Sequence, residues 1–159
     1  PGHFNGVAIV VARLFNMVQP DCAIFGRKDY QQLQVIRYMA REMSFPVEII
    51  SAPTLRESSG LAMSSRNQYL NESERLIAPK IYQNLCAMRE AYQQRVPLEQ
   101  VEQQAVKNLE QAGFDVDYVE ILSANLGKAS RSPSKQRVAL IAARLGLTRL
   151  IDNLEFDIN

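Results

Sequence analysis

The segment SSGLAMSSRNQYL, residues 58–70, sets two adjacent hydroxyls and a guanidinium, Ser64, Ser65 and Arg66, behind Gly60 and Met63. It is too polar for a core and carries too little charge for a simple solvated run. Hydroxyls, a guanidinium fork and neighbouring backbone N–H groups together match the acceptor oxygens of a phosphate. The alternative is a flexible, serine-rich connector.

A second segment, FGRKDYQQ at residues 25–32, places Arg27, Lys28 and Asp29 directly after Gly26, with Gln32 four residues beyond Lys28. It follows a short apolar run and opens a helical pattern. In an open parallel sheet, ligands gather at the carboxyl ends of strands, and helix N-termini favour anions. Gly26 lets a ligand approach the backbone. Lys28 can neutralise phosphate, while Gln32, on the same side of a helical turn, can both donate to and accept from a polar organic substrate. The alternative is a charged surface turn.

His3 is the only histidine, and no orienting partner is near it in sequence, so it reads as a loop or helix-start residue. Cys22 and Cys86 have no metal or redox spacing and read as buried thiols in a reducing compartment. No Cys/His/Asp metal cluster and no nucleophilic triad can be assembled.

The elements that must position these groups follow from hydrophobic periodicity. Residues 7–18, VAIVVARLFNMV, predict a buried helix, and 21–26, DCAIFG, a buried strand. Leu33, Ile36, Met39, Ala40 and Met43 recur at helical spacing, and FPVEIIS predicts a second strand. Strand, helix, strand in this order predicts a βαβ unit with parallel pairing. Around Ser51 the composition shifts to Pro, Gly and serine, which predicts a domain boundary. With little apolar content to anchor it, the stretch 51–67 is expected to be a mobile loop.

Beyond it, Asn71 and Glu74 have capping-box spacing. Leu76, Ile77, Ile81, Leu85, Met88 and Tyr92 form an apolar stripe, with Pro79 kinking or restarting the helix. Pro97 opens another helix, with Leu98, Val101, Ala105, Leu109 and Ala112 on one face and Gly113 as its stop. DYVEIL, RVALIAARL and TRLIDNL predict three strands, the last two joined by a turn centred on Gly146, and GKASRSPSK a polar loop.

A chain of 159 residues, 47% apolar, can bury a core without disulfides or metal. Its formal charge of +1 provides no overall field for nucleic acid or an acidic membrane, so an anion site must be local. No apolar run approaches the ~18 residues of a membrane span, and no secretory signal opens the sequence, so a cytoplasmic protein is expected. The start, PGHFNGVAIVV, lacks Met and enters an apolar segment almost at once, as expected for part of a longer protein.

Together, PGHFNGV, LFNMVQPDCAIFGRKDYQQLQVIR, FPVEIISAPTLRESSGLAMSSRNQYL and ARLGLTRLIDN closely resemble the pantothenate synthetase (pantoate–β-alanine ligase) family. These are nucleotidyltransferases related to class I aminoacyl-tRNA synthetases, and MSSRN looks like their mobile Lys-Met-Ser-Lys-Ser loop. The resemblance implies an α/β chain: the C-terminal remnant of a Rossmann-like parallel-sheet nucleotide domain over residues 1–52, then a small α+β lid domain with a three-stranded antiparallel sheet over 53–159. It implies a two-step reaction in which pantoate and ATP give pantoyl adenylate and pyrophosphate, after which β-alanine displaces AMP.

Carried over by position, Gly26, Arg27, Lys28 and Asp29 match the family's ATP-contacting turn and Gln32 its pantoate-binding glutamine. Leu55 matches a position whose backbone contacts adenine. Met63, Ser64, Ser65 and Arg66 match the loop that closes over the triphosphate. Lys28, Ser64, Ser65 and Arg66 would be the catalytic set, with Lys28 and Arg66 stabilising charge on the leaving pyrophosphate. Mg²⁺ is expected with ATP, with no protein-ligated metal in this chain. Pantoate, β-alanine and ATP are the implied small-molecule partners, a homodimer is implied for the full-length enzyme, and neither nucleic acid nor membrane is.

The family's His-x-Gly-His segment and its first pantoate-binding glutamine have no counterpart in these 159 residues. The resemblance therefore implies a C-terminal half, inactive by itself. Ser59 stands where an acidic residue is expected and Ile9 where a Thr is expected. Two other readings stay open: an adenylate-forming nucleotidyltransferase for another carboxylate, and a non-catalytic binding or assembly module of the same shape.

Overall fold

The computed structural model describes residues 2–129 and 134–158, so the expected polar loop GKASRSPSK lies partly outside the described residues. The chain divides into two compact units, Pro1–Thr54 and Leu55–Asn159. One carries a parallel pair of strands with helices and the other a three-stranded antiparallel sheet, an α/β chain.

In the first unit, α1 (His3–Val18) precedes β1 (Cys22–Gly26), a 3₁₀ turn (Arg27–Asp29), α2 (Tyr30–Glu42) and β2 (Glu48–Ala52). β1 and β2 pair in parallel, from Cys22 opposite Glu48 to Gly26 opposite Ala52. Tyr30, Leu33, Ile36, Met39 and Ala40 of α2 are buried at the spacing expected of one helix face. Ala12, Phe15, Ile36, Met39 and Ala40 form a small core, against which Ala23, Phe25 and Ile49 of the strands pack.

Several burial expectations fail here. α1 is a helix but not a buried one: Ala12 and Phe15 are buried, whereas Ile9, Val10, Leu14, Met17 and Val18 are exposed, because only one of its faces packs. β1 alternates instead of being buried throughout, with Ile24 67% exposed, since successive side chains point to opposite faces of a sheet covered on one. Cys22 shares that outer face and is exposed, and Cys86 is half-buried, so neither is a fully buried thiol. Met43 is also exposed, because α2 ends one residue before it.

The second unit holds a 3₁₀ turn (Ser65–Tyr69), α3 (Glu72–Ile77), α4 (Lys80–Gln93), α5 (Leu98–Gln111), β3 (Asp115–Ser123), β4 (Gln136–Leu145) and β5 (Thr148–Asp157). The strands form an antiparallel meander with β4 in the middle. Ile81, Leu85 and Met88 of α4 and Val101, Ala105 and Leu109 of α5 pack with Ala139, Ile141 and Ala143 of β4 in one core.

Local chemistry sets the ends of these elements. The Asn71 side chain accepts from the Glu74 N–H at 2.9 Å, and the Glu74 carboxylate accepts from the Asn71 N–H at 3.0 Å, a complete capping box. Pro79 restarts the helix: α3 stops at Ile77 and α4 begins at Lys80. That break resets the helical phase, and Leu76, expected on the apolar stripe, is 84% exposed.

β3 is an edge strand, and Glu102 on α5 accepts a hydrogen bond from its Ile121 N–H at 2.8 Å. Burial raises the Glu102 carboxyl above its ordinary value, against the lowering effect of that hydrogen bond, and Glu120 and Glu99 raise it further. A carboxyl raised on folding favours the native state below its unfolded-state value, and that advantage is lost as pH rises through the folded-state value. Glu102→Gln keeps an acceptor for Ile121 and removes the buried charge. Thermal unfolding should therefore show a higher Tm for the variant at neutral pH, with the gap closing as Glu102 protonates in acid. A gap that does not change with pH would contradict the charge as its cause.

Candidate functional site

The sequence-predicted groups fall into two clusters, one in each unit. In the first unit, Gly26 ends β1 and the 3₁₀ turn carries Arg27, Lys28 and Asp29 into α2. Because β1 and β2 run parallel in register, Gly26 and Ala52 lie side by side at the carboxyl edge. The Arg27 Nε donates to Ser51 Oγ at 3.3 Å, tying the basic turn to the neighbouring strand. Arg27 and Asp29 are exposed, Lys28 and Gln32 half-buried. The α-helical spacing expected between Lys28 and Gln32 does not hold, since α2 begins only at Tyr30.

In the second unit, residues 55–63 fold into a tight hairpin rather than a loose connector. Met63 N–H donates to the Leu55 carbonyl at 2.9 Å, Glu57 N–H to the Leu61 carbonyl at 2.8 Å, and Gly60 N–H to the Glu57 carbonyl at 2.9 Å. Leu55 and Met63 emerge side by side and exposed, while Leu61 and Ala62 are buried. Ser59, standing where an acidic residue is expected, has its Oγ 3.4 Å from the Leu61 N–H donor within the hairpin end.

The next residues form the serine–arginine turn. Ser64 Oγ accepts from the Arg66 N–H at 3.2 Å, capping the 3₁₀ turn that starts at Ser65. Ser65 and Arg66 are exposed. Arg66, Tyr69, Leu147, Thr148 and Arg149 line an open cleft of about 590 Å³. Arg149 Nε donates to Asp117 Oδ2 at 2.5 Å, which leaves Arg66 as the cleft's guanidinium suited to an anionic ligand.

The expectation that residues 51–67 have little to anchor them is overturned by Arg56. Its guanidinium donates to both carboxylate oxygens of Asp152, at 2.6 and 3.0 Å, and to the carbonyls of Gly60 at 3.1 Å and Asn153 at 3.3 Å. It also stacks on the Tyr82 ring, 3.7 Å from its centroid. Gly60 sits at φ 92°, and a Cβ there would come within 2.9 Å of Tyr82 Cδ1, so this position needs glycine for both conformation and space. Arg56, Tyr82 and Asp152 are not among the sequence-predicted site residues. The available signal is Asp152 itself, a carboxylate in phase with the inward Leu150 and Leu154 of the predicted strand TRLIDNL.

His3 is exposed at the start of α1, beside the Phe4 ring. Among the described residues no group of three His, Cys, Asp or Glu side chains could hold a metal ion, and no helix is long and apolar enough to cross a membrane.

A parallel strand pair with a basic turn at its carboxyl edge, and a unit with a three-stranded antiparallel sheet and a serine–arginine turn, define an α/β protein. The family model for pantoate-beta-alanine ligase matches residues 1–155, and the chain belongs to that family. It is 57% identical over 156 residues to the pantothenate synthetase of Xanthomonas axonopodis pv. citri, covering 98% of this chain and 56% of that protein. A crystal structure of pantothenate synthetase from Thermus thermophilus matches with a TM-score of 0.88 and 46% identity, over 97% of this chain and 56% of that one. The pantoate-beta-alanine ligase from Francisella tularensis, complexed with β,γ-ATP and β-alanine, matches with a TM-score of 0.72 and 29% identity, over 97% and 51%. The chain thus spans about half the length of the relatives it matches.

Asp152→Asn should leave the Arg56 guanidinium largely buried against a neutral partner and cost about 3 kcal/mol of unfolding free energy. Urea denaturation measures it. A loss below about 1 kcal/mol, the range of exposed ion pairs, would show that the clamp does not hold the hairpin.

Proposed function

We propose that this chain is the C-terminal part of an enzyme that condenses pantoate with β-alanine at the expense of ATP. Residues 1–52 belong to its nucleotide-binding domain and residues 53–159 form the lid domain. The observation that supports the reading is a pair of turns whose residue types suit phosphate, Gly26–Asp29 and Ser64–Arg66, within a family match over residues 1–155.

In the first step, a pantoate carboxylate oxygen attacks the α-phosphorus of ATP, and the bond to pyrophosphate breaks. In the second, the β-alanine amine attacks the acyl carbon, AMP leaves with the bonding electrons, and the amine loses a proton. Arg27, Lys28 and Asp29 contact ATP beside Gly26, and Gln32 holds pantoate. The Leu55 backbone meets adenine, and Met63, Ser64, Ser65 and Arg66 close over the phosphates. The role of Lys28 and Arg66 is electrostatic: fixed positive charge stabilises the charge that gathers on departing pyrophosphate. Mg²⁺ enters with ATP as part of that substrate.

His3 is the sole histidine of the sequence, so these residues hold no counterpart of the family's His-x-Gly-His segment, and the 159 residues by themselves are expected to make no pantothenate. The whole enzyme is proposed to be a cytoplasmic homodimer.

Lys28→Ala in the full-length protein tests the assignment. ATP–pyrophosphate exchange dependent on pantoate should fall at least about 30-fold, equivalent to about 2 kcal/mol of barrier, with Tm little changed. An unchanged exchange rate would return Lys28 to a surface turn.

A further inference from the structure

Asn67 is 4% exposed and lies inside the 3₁₀ turn that carries Ser65 and Arg66. Its side-chain nitrogen donates to Glu57 Oε1 at 3.1 Å and to the Ala62 carbonyl at 3.1 Å. Both neighbours are acceptors, so the amide cannot be turned around: its N–H₂ end must face them. Arg75 braces the same cluster, donating to Glu57 Oε1 at 3.1 Å and approaching the Asn67 carbonyl at 3.5 Å. The Asn67 N–H donates to the Ser64 carbonyl at 3.1 Å, and its carbonyl accepts from the Leu70 N–H at 3.2 Å.

One atom is left over. Asn67 Oδ1 is the only buried side-chain polar atom without a partner among the described residues. A buried acceptor without a donor is disfavoured, so an arrangement that brings one is favoured. Oδ1 belongs to the same short turn as the exposed groups assigned to phosphate.

We propose that Asn67 is the positioning residue of the Ser64–Ser65–Arg66 turn. Its nitrogen fixes the turn to the hairpin, and its open oxygen accepts a hydrogen bond once the turn engages a phosphate. This rests on the nucleotide role of that turn given above. Asn67 touches no ligand; it acts through its neighbours. Aspartate at this position would set a second carboxylate against Glu57.

The test measures ATP–pyrophosphate exchange in the full-length protein with ATP varied at saturating pantoate. Asn67→Ala and Asn67→Asp should each raise KM for ATP about 10-fold while leaving KM for pantoate unchanged. Adding Glu57→Gln to Asn67→Asp restores a donor–acceptor pair at that contact and should recover part of the ATP KM. A packing role alone would lower the folded fraction, and so the apparent kcat, without moving KM for ATP. That result, in whichever of the two variants folds, overturns the inference. Arg66→Ala is the companion variant. If it too leaves KM for ATP unchanged, the nucleotide reading of the turn fails; if it raises KM and the Asn67 variants do not, only the role of Asn67 fails.

Discussion

The second unit depends on a single guanidinium. Arg56 leaves the hairpin, lies on the face of Tyr82 from α4 and grips Asp152 of β5, so three segments meet at one side chain. The side chain of Asp152 is only 4% exposed, and a carboxylate so enclosed needs a partner that satisfies both oxygens at once. Arginine is suited to this because its planar fork supplies parallel donors and its face stacks on a ring. The second N–H of each terminal nitrogen goes to the carbonyls of Gly60 and Asn153, which closes the hairpin end onto the strand.

That constraint has a consequence for the serine–arginine turn. Ser64, Ser65 and Arg66 sit at the surface, where each would lose much conformational freedom on gripping a ligand. They emerge from a hairpin already held by Arg56 and from a turn already held by Asn67, so part of that ordering is complete before ligand arrives. In the first unit, the parallel register plays the corresponding part. It brings the carboxyl ends of β1 and β2 level, and Arg27 reaches across to Ser51 while Tyr30, buried at the start of α2, anchors the turn. Each cluster places polar surface groups on supports fixed within its own unit, polar clamps in the second and the strand register with buried Tyr30 in the first.

What is readable in the sequence divides along the range of the forces involved. The capping box at Asn71 and Glu74, the stop at Gly113 and the three-stranded meander rest on contacts a few residues apart or on simple periodicity. The burial of α1 and β1 is misjudged from sequence because apolar composition does not tell which face a neighbour covers, and Ile9 and Ile24 prove exposed. Leu76 is misassigned because the break at Pro79 changes the helical phase. The hairpin reads as loose because its anchor, Asp152, lies 96 residues from Arg56, beyond any local pattern. The residue types of both phosphate-suited turns are visible as motifs. Their supports, Asn67 above all, are not, since an amide buried under a turn has the same letter as one in solvent.

The serine–arginine turn stands on supports, the Arg56 clamp and the Asn67 amide, that are in place without a ligand. Amide hydrogen exchange on the full-length protein, with and without a non-hydrolysable β,γ-substituted ATP analogue, tests it most directly. Hairpin amides Glu57, Gly60 and Met63 should be protected without ligand, and the analogue should add protection at residues 64–67. No protection gained at those residues, or a hairpin that exchanges freely until ligand arrives, would contradict it.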